Sequence, residues 1–505
     1  MTEQEFLSLR NGTDVRGTAL PGVPGDPVTL TDEAVSAIAK AFFVWAAEKT
    51  GKKAPVLAVG YDSRLTAEHL CGLVAEGFAS CGGDVIRTGL SSTPSMFMLL
   101  QEDFGADVSV MITASHLPRQ KNGLKFFCRD GGLEGSDVAD ILKLAAKGAF
   151  PAGKGRITEK SYIETYAAGL VEKVRSACGE DRPLSGKRIL VDAGNGAGGF
   201  YVDLVLKPLG ADTTGSQFLD PDGNFPNHIP NPENETAMQS VCAAVKKNRA
   251  DFGIIFDTDV DRAGAVAPDG EEINRNRLIA LISAILLAEK PGVIVTDSVT
   301  SDGLAAVIRA HGGVHRRFKR GYKNVINESK RLNAAGEYSP LAIETSGHAA
   351  LKENFFLDDG AYLVTRLLIA LAQRAKEGKD LMSLIADLPE PAEAAEVRLS
   401  FVPGCNFKAL GAGVISDFTA YAQQSPAMTP APDNCEGVRV NFAKDEGDGW
   451  ALLRMSLHEP IMPINVESNT PGGNRRIMRA LYEFLSRYPF LDLETLKKTN
   501  IIQGE

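Results

Sequence analysis

Ser115 and His116 stand side by side in the stretch Thr113-Ala114-Ser115-His116-Leu117-Pro118, and Lys125 follows ten residues after the serine. An apolar run over residues 107–112 precedes them and reads as a buried strand. A hydroxyl is thus delivered at a strand end, beside an imidazole, in a loop rich in cations and turn residues. A lone serine is a weak nucleophile, and one that carries a phosphoryl group needs such a setting. A second loop, Asp257-Thr258-Asp259-Val260-Asp261-Arg262, follows another strand-like run over residues 252–256. Three carboxylates this close repel one another unless a cation sits among them. Extended backbone turns alternate side chains to one side, so Asp257, Asp259 and Asp261 are expected to face one point. Oxygen ligands suit a hard cation, and few protein ligands with a phosphate oxygen suit Mg²⁺. An EF-hand is a poor fit, because its sixth position would be Arg262 rather than glycine and its twelfth Pro268 rather than glutamate. A solvated acidic turn is the plain alternative.

Two further blocks complete a pattern. Glu344-Thr345-Ser346-Gly347-His348 is followed by Asp358-Asp359-Gly360, and Arg454-Met455-Ser456-Leu457-His458-Glu459-Pro460 comes near the end. The four blocks, in this order, resemble those of the α-D-phosphohexomutases, the family of phosphoglucomutase, phosphomannomutase and phosphoglucosamine mutase. They are similar to its phosphoserine loop, Mg²⁺ loop, sugar-recognition loop and C-terminal phosphate-binding loop. Gly12 to Gly17, Gly60 to Arg64 and Thr93-Pro94 are smaller echoes. Two of the blocks depart from the pattern. Thr258 and Val260 stand where glycines are usual, and Leu457-His458 replaces a pair containing a hydroxyl.

The resemblance implies a phosphohexomutase that interconverts hexose 1-phosphate and hexose 6-phosphate, of mannose or glucose. It also implies a phosphoserine enzyme, a hexose 1,6-bisphosphate intermediate and Mg²⁺ held by Ser115, Asp257, Asp259 and Asp261. Ser115, Lys125, Arg262, His116 and His348 become the catalytic candidates. Substrate binding is assigned to Arg16, Arg64, Lys319, Arg320, Gly321, Tyr322, Glu344, Ser346, His348, Arg454, Ser456 and His458. A lysine base needs its pKa brought down from ~10.4, and a nearby Arg262 is expected to do so. Asp359 reads equally well as a helix N-cap.

Composition suits a large globular enzyme. At 505 residues the chain has room for roughly three to four domains. A net charge of −10 argues against nucleic acid, which selects basic surfaces. A small phosphosugar is still a fitting partner if the basic residues of the four blocks gather locally. The seven cysteines form no C-x-x-C pair and are odd in number, as expected of reduced thiols in a cytoplasmic protein. The first residues show no apolar secretory core, and the longest apolar run, 278–288, falls short of the ~20 residues that span a bilayer, so no membrane partner is expected. A monomer or small homo-oligomer remains open.

Strand, loop and helix alternate along most of the chain. Strands are expected at 56–60, 85–88, 107–112, 188–192, 252–256 and 293–296, with helices at 67–80, 95–101, 161–177 and from 304. After Pro389-Glu390-Pro391 the texture changes to alternating strands at 397–402, 438–442 and 450–455 and a last helix at 474–487. This gives α/β units over 1–157, 158–268 and 269–391, carrying the serine, metal and sugar loops, and an α+β unit over 392–505 carrying the phosphate loop. The family resemblance implies that the four form a heart-shaped molecule.

The glycine cluster Gly194 to Gly199 imitates a dinucleotide fingerprint but lacks its spacing, and a tight turn into the next helix explains it. Alternatives within reach are phosphoglucosamine mutase activity, a haloacid dehalogenase-type phosphotransferase using Asp257 as nucleophile, and a silent sugar-phosphate sensor.

Overall fold

The structure is a computed structural model, and it describes residues 1–456 and 459–498. The chain forms two compact units, residues 1–278 with 346–383, and residues 279–345 with 384 onward.

In the first unit the strands Leu57–Tyr61, Val85–Leu90 and Val108–Ile112 lie parallel, with Leu57–Tyr61 between the other two. Val108–Ile112 is buried along its whole length, which explains why it reads as an unbroken apolar run. Helices Asp32–Thr50, Ala67–Ala79 and Gly135–Lys147 contribute to its core, where Phe42 packs on Phe78 and Phe126. Thr31 caps the first of these helices by accepting from the Ala34 N–H, and Gly51 ends it at a φ of 68°. Strand Lys121–Cys128 runs antiparallel to Val108–Ile112, pairing Ile112 with Leu124 and Met111 with Lys125. The serine loop therefore joins two neighbouring strands, and their register returns Lys125 to the sheet end where Ser115 stands.

A second sheet holds Glu272–Ile273, Ala263–Val266, Phe252–Phe256 and Ile189–Asp192 in that order. Phe252–Phe256 is parallel to Ile189–Asp192 and antiparallel to Ala263–Val266, with Phe256 opposite Ala263. The acidic loop is thus the closed end of a hairpin. Helix Gly360–Lys376 belongs to the same unit and is buried along most of its length. Its N-cap is Asp359, whose carboxylate accepts from the Tyr362 N–H at 2.8 Å.

In the second unit Val293–Asp297 lies between the parallel strands Val314–Phe318 and Leu341–Ile343. A six-stranded sheet follows, in the order Met428–Pro430, Val438–Phe442, Gly449–Leu453, Ile461–Ser468, Glu393–Phe401, Leu491–Asp492, with every pairing antiparallel. Helices Phe407–Gln424 and Gly473–Leu485 bury Phe418, Ile477, Leu481 and Phe484 against it. The chain is of α/β class, with α/β/α segments followed by this antiparallel C-terminal segment. The apolar run from Leu278 lies in helix Arg275–Glu289, and no helix among the described residues is long and apolar enough to cross a membrane.

Candidate active site

Ser115 lies at the turn after Val108–Ile112 with a φ of 51°, a left-handed conformation uncommon outside glycine. Its loop is tied down from below. The Thr113 hydroxyl accepts from the Ser115 N–H at 2.9 Å and donates to Asp62 at 2.6 Å. Arg64 donates to the carbonyls of Pro118 at 3.0 Å, Lys121 at 2.9 Å and Leu117 at 2.6 Å, and also to that of Ser115. Arg64, expected to contact substrate, is buried and turns its guanidinium to the loop's backbone carbonyls. Burial pushes Asp62 up to about 6, although Arg64 opposes this.

The serine hydroxyl meets the acidic loop directly. Ser115 Oγ donates to Asp257 Oδ2 at 3.1 Å and accepts from Arg262 Nη2 at 2.9 Å. Arg262 is fully buried and also donates to Asp257 from Nε and Nη2, at 3.2 and 3.0 Å, and to Asn231 Oδ1 at 3.2 Å. Its Nη2 lies 2.6 Å from His116 Nδ1. A guanidinium only donates, so His116 Nδ1 accepts and carries no proton. Burial, then the charges of Arg262 and Arg16, push His116 down to about 2. An imidazole so far below neutrality is a poor base, and its Nδ1 is taken up by Arg262. His348 is pushed down to about 3 by burial, with Arg262 adding to it against Asp261. Its Nδ1 is 2.8 Å from the Ser346 hydroxyl, and its Nε2 lies 3.8 Å from Asp261 Oδ1.

The carboxylates of Asp257, Asp259 and Asp261 each offer one oxygen within 4.8 Å of the others. Alternation along an extended strand, the expected cause, is not how they converge. Val260 has a φ of 67°, and this left-handed kink folds the loop around the point they face. For a β-branched side chain such a φ is a strained outlier.

All three aspartates are buried, and neither Asp259 Oδ1 nor Asp261 Oδ1 has a hydrogen-bond partner. Unpartnered buried oxygens around one point fit a hard cation. Lys125 Nζ occupies part of that role, bonding Asp259 at 2.9 Å and also Asp261. Burial alone would lower the Lys125 pKa, but Asp259 and Asp261 outweigh it and raise it well above 10.5. The expectation that Arg262 brings it down is therefore overturned: two buried carboxylates bond the ammonium directly, and their charges outweigh burial and the opposing charge of Arg16. Burial and the charge of Asp261 raise Asp257 well above the ordinary carboxylate range, against the pull of Arg262. Asp261 is lowered, because Lys125, then His348 and Arg262, overcome its burial.

Sequence reasoning missed the supports of this loop. Thr93 donates from both its backbone N–H, to the Asp259 carbonyl at 2.8 Å, and its hydroxyl, to the Asp259 carboxylate. The Gly360 N–H donates to the Val260 carbonyl at 3.0 Å, and a Cβ on Gly360 would lie 2.6 Å from the Arg262 carbonyl carbon. Thr93-Pro94 was a faint signal for the first, and the N-cap pattern at Asp359 for the second. Arg16 pairs with Asp14 at 2.9 Å.

The remaining candidates lie in the second unit, apart from Ser346 at its boundary. Glu344 accepts from the Gly321 N–H at 2.6 Å, just before helix Tyr322–Ala334. Arg320 lies 3.4 Å from Asp297, which also accepts from the Thr345 hydroxyl at 2.8 Å. Arg454 is buried, its Nε has no hydrogen-bond partner, and burial and nearby Arg320 both lower its pKa. Ser456 Oγ accepts from the Glu459 N–H at 3.2 Å, and Lys319 is exposed. His458 lies outside the described residues.

Comparison with known proteins gives one answer. Residues 10–151, 161–270 and 274–391 match the models of phosphoglucomutase/phosphomannomutase α/β/α domains I, II and III. The chain is 32% identical to a phosphoglucomutase of Neisseria gonorrhoeae over 467 residues, 92% of this chain and 95% of that one. It is 30% identical to a phosphomannomutase/phosphoglucomutase of Pseudomonas syringae over 449 residues, 88% of this chain and 90% of that one. A crystal structure of a phosphoglucomutase/phosphomannomutase family protein from Burkholderia thailandensis superposes with a TM-score of 0.78 at 27% identity, covering 96% and 98% of the two chains.

Proposed function

This chain belongs to the phosphoglucomutase/phosphomannomutase family and is a mutase, an isomerase that transfers phosphoryl groups, and we propose that it interconverts the 1- and 6-phosphates of glucose and mannose. The reaction runs through a phosphoserine at Ser115 and a hexose 1,6-bisphosphate. One observation carries this reading: Ser115 Oγ stands 3.1 Å from a carboxylate oxygen of the acidic group and 2.9 Å from Arg262. The names of the relatives support glucose and mannose as the sugars.

Asp257, Asp259 and Asp261, with an oxygen on Ser115, would hold Mg²⁺, which when bound withdraws charge from the phosphoryl group in transfer. Arg262 neutralises the same group and orients the serine. Lys125, held protonated, serves as a proton donor and positive charge rather than as the resting base. Arg320, Arg454 and Ser456 bind the phosphate that is not being transferred, and Glu344, Ser346 and His348 bind sugar hydroxyls. The bisphosphate turns around before its second phosphate returns to Ser115. Seven free cysteines support a reducing, cytoplasmic setting.

The test is turnover on glucose, mannose and glucosamine 1-phosphates, with and without Ser115→Ala. Glucose and mannose phosphates should react, and the variant should lose at least about a thousandfold in kcat, as removal of a nucleophile does. Isomerisation at normal speed in the variant would overturn the reading.

A further inference from the structure

Residues 218–231 leave the second sheet, cross to the serine loop and return, and three anchors fix them. At the first crossing, a Cβ on Gly223 would lie 2.5 Å from the Ser63 carbonyl oxygen, the Phe225 ring lies 5.4 Å from the Arg64 guanidinium, and Arg119 donates to Asn224 at 3.2 Å. At the return, Asn231 accepts from Arg262. Between them, His228 is 8% exposed and reaches back to Asp192 at the end of strand Ile189–Asp192. Its Nε2 is 3.0 Å from both oxygens of Asp192, and its Nδ1 is 3.0 Å from the Ile229 carbonyl oxygen.

Both partners are acceptors, so both ring nitrogens must donate, and only the imidazolium can do that. Asp192 is the one charged group facing the ring among the described residues, and Phe218 meets it edge-on at 5.3 Å. The segment needs such fastening, since Phe218 and Phe225 hold φ values of 53° and 50°, which persist only where surroundings over-determine them.

We propose that His228, as a doubly donating imidazolium on Asp192, is a positioning residue that holds this segment so that Asn231 and Phe225 keep Arg262 and Arg64 aligned on Ser115. Loss of the ring proton must break one of the two bonds. The sign follows: burial opposes the charge but Asp192 outweighs it, so the pKa is raised above 6.5. The alignment is complete below 6.5 and is lost as pH rises through the folded-state value.

The kinetic test rests on the mutase reading; the spectroscopic one does not. In kcat against pH, the wild type should fall on the alkaline side. His228→Gln should lower kcat about tenfold near neutrality, leave KM within about twofold and remove that alkaline fall. Asn231→Ala should lower kcat while keeping the wild-type pH profile. An unchanged alkaline limb in His228→Gln, or an unchanged kcat in both variants, would overturn the proposal. ¹⁵N spectra of the histidine rings, assigned by the signal lost in His228→Gln, should show two protonated nitrogens on His228 at pH 7. A single protonated nitrogen would overturn it whether or not the wild type turns over sugar phosphates. A wild type without mutase turnover, its His228 doubly protonated, would sink the functional reading and leave the imidazolium standing.

Discussion

Lys125 sits where a divalent cation is wanted, and its ammonium is the main counter-charge for the buried Asp259 and Asp261. Breaking a buried pair by removing one partner leaves an uncompensated charge and costs about 3–5 kcal/mol. In chelator, Lys125→Met should therefore lose about that much stability in urea denaturation, and added Mg²⁺ should recover more of it than it adds to the wild type. Equal stability of the two proteins without metal would contradict the pairing. Ser115 and the three aspartates were legible because their chemistry is written in residue type and short spacing. His228 and Asn231 were not. Their partners Asp192 and Arg262 lie 36 and 31 residues away, and nothing in the local sequence links them. Arg64 was legible as a cation near the serine loop, but only the fold shows its donors turned to backbone carbonyls.

The elements that aim these side chains are two hairpin-like turns and the glycine turn beneath one of them. The dinucleotide look-alike at Gly194 to Gly199 has a different use. The Ala197 N–H donates to the Thr258 carbonyl at 2.8 Å, and a Cβ on Gly196 would lie 2.7 Å from that oxygen. Gly196→Ala should push the acidic loop outward, raising the Mg²⁺ concentration for half-maximal activity by about tenfold or more, as lost support of metal ligands commonly does. An unchanged Mg²⁺ dependence would show that the loop needs no such buttress. Strands such as Val108–Ile112 were readable from continuous apolar runs, and some helices from their period, with ends displaced by one to three residues, as at Ile163–Cys178 and Thr93–Met98, whereas Asp32–Thr50 and Gly135–Lys147 went unread. The kink at Val260 was not readable, because a valine gives no signal for a left-handed backbone.

At the scale of the whole molecule, the order of α/β segments and the change of texture after residue 391 were legible, since each follows from local period and turn residues. The division into two units was not, because helix Gly360–Lys376 packs with Ile163–Cys178 and Ala263–Val266, long before it in sequence. The second unit has its own charged core. Arg439 lies 3.5 Å over the Trp450 ring and donates to the Thr300 carbonyl at 2.9 Å and Asp302 at 2.8 Å. Arg439→Leu should destabilise that unit by a few kcal/mol, about the cost of a broken buried network. Calorimetry should show its transition shifted down with that of the first unit unmoved, and Trp450 emission should shift to the red. A shift common to the whole chain would contradict two separately cored units. The whole catalytic cycle turns on where phosphorus becomes covalently attached. After incubation with ³²P-labelled hexose 1,6-bisphosphate, the label should survive acid and map to Ser115. An acid-labile label on Asp257, or turnover with no label at Ser115, would contradict it.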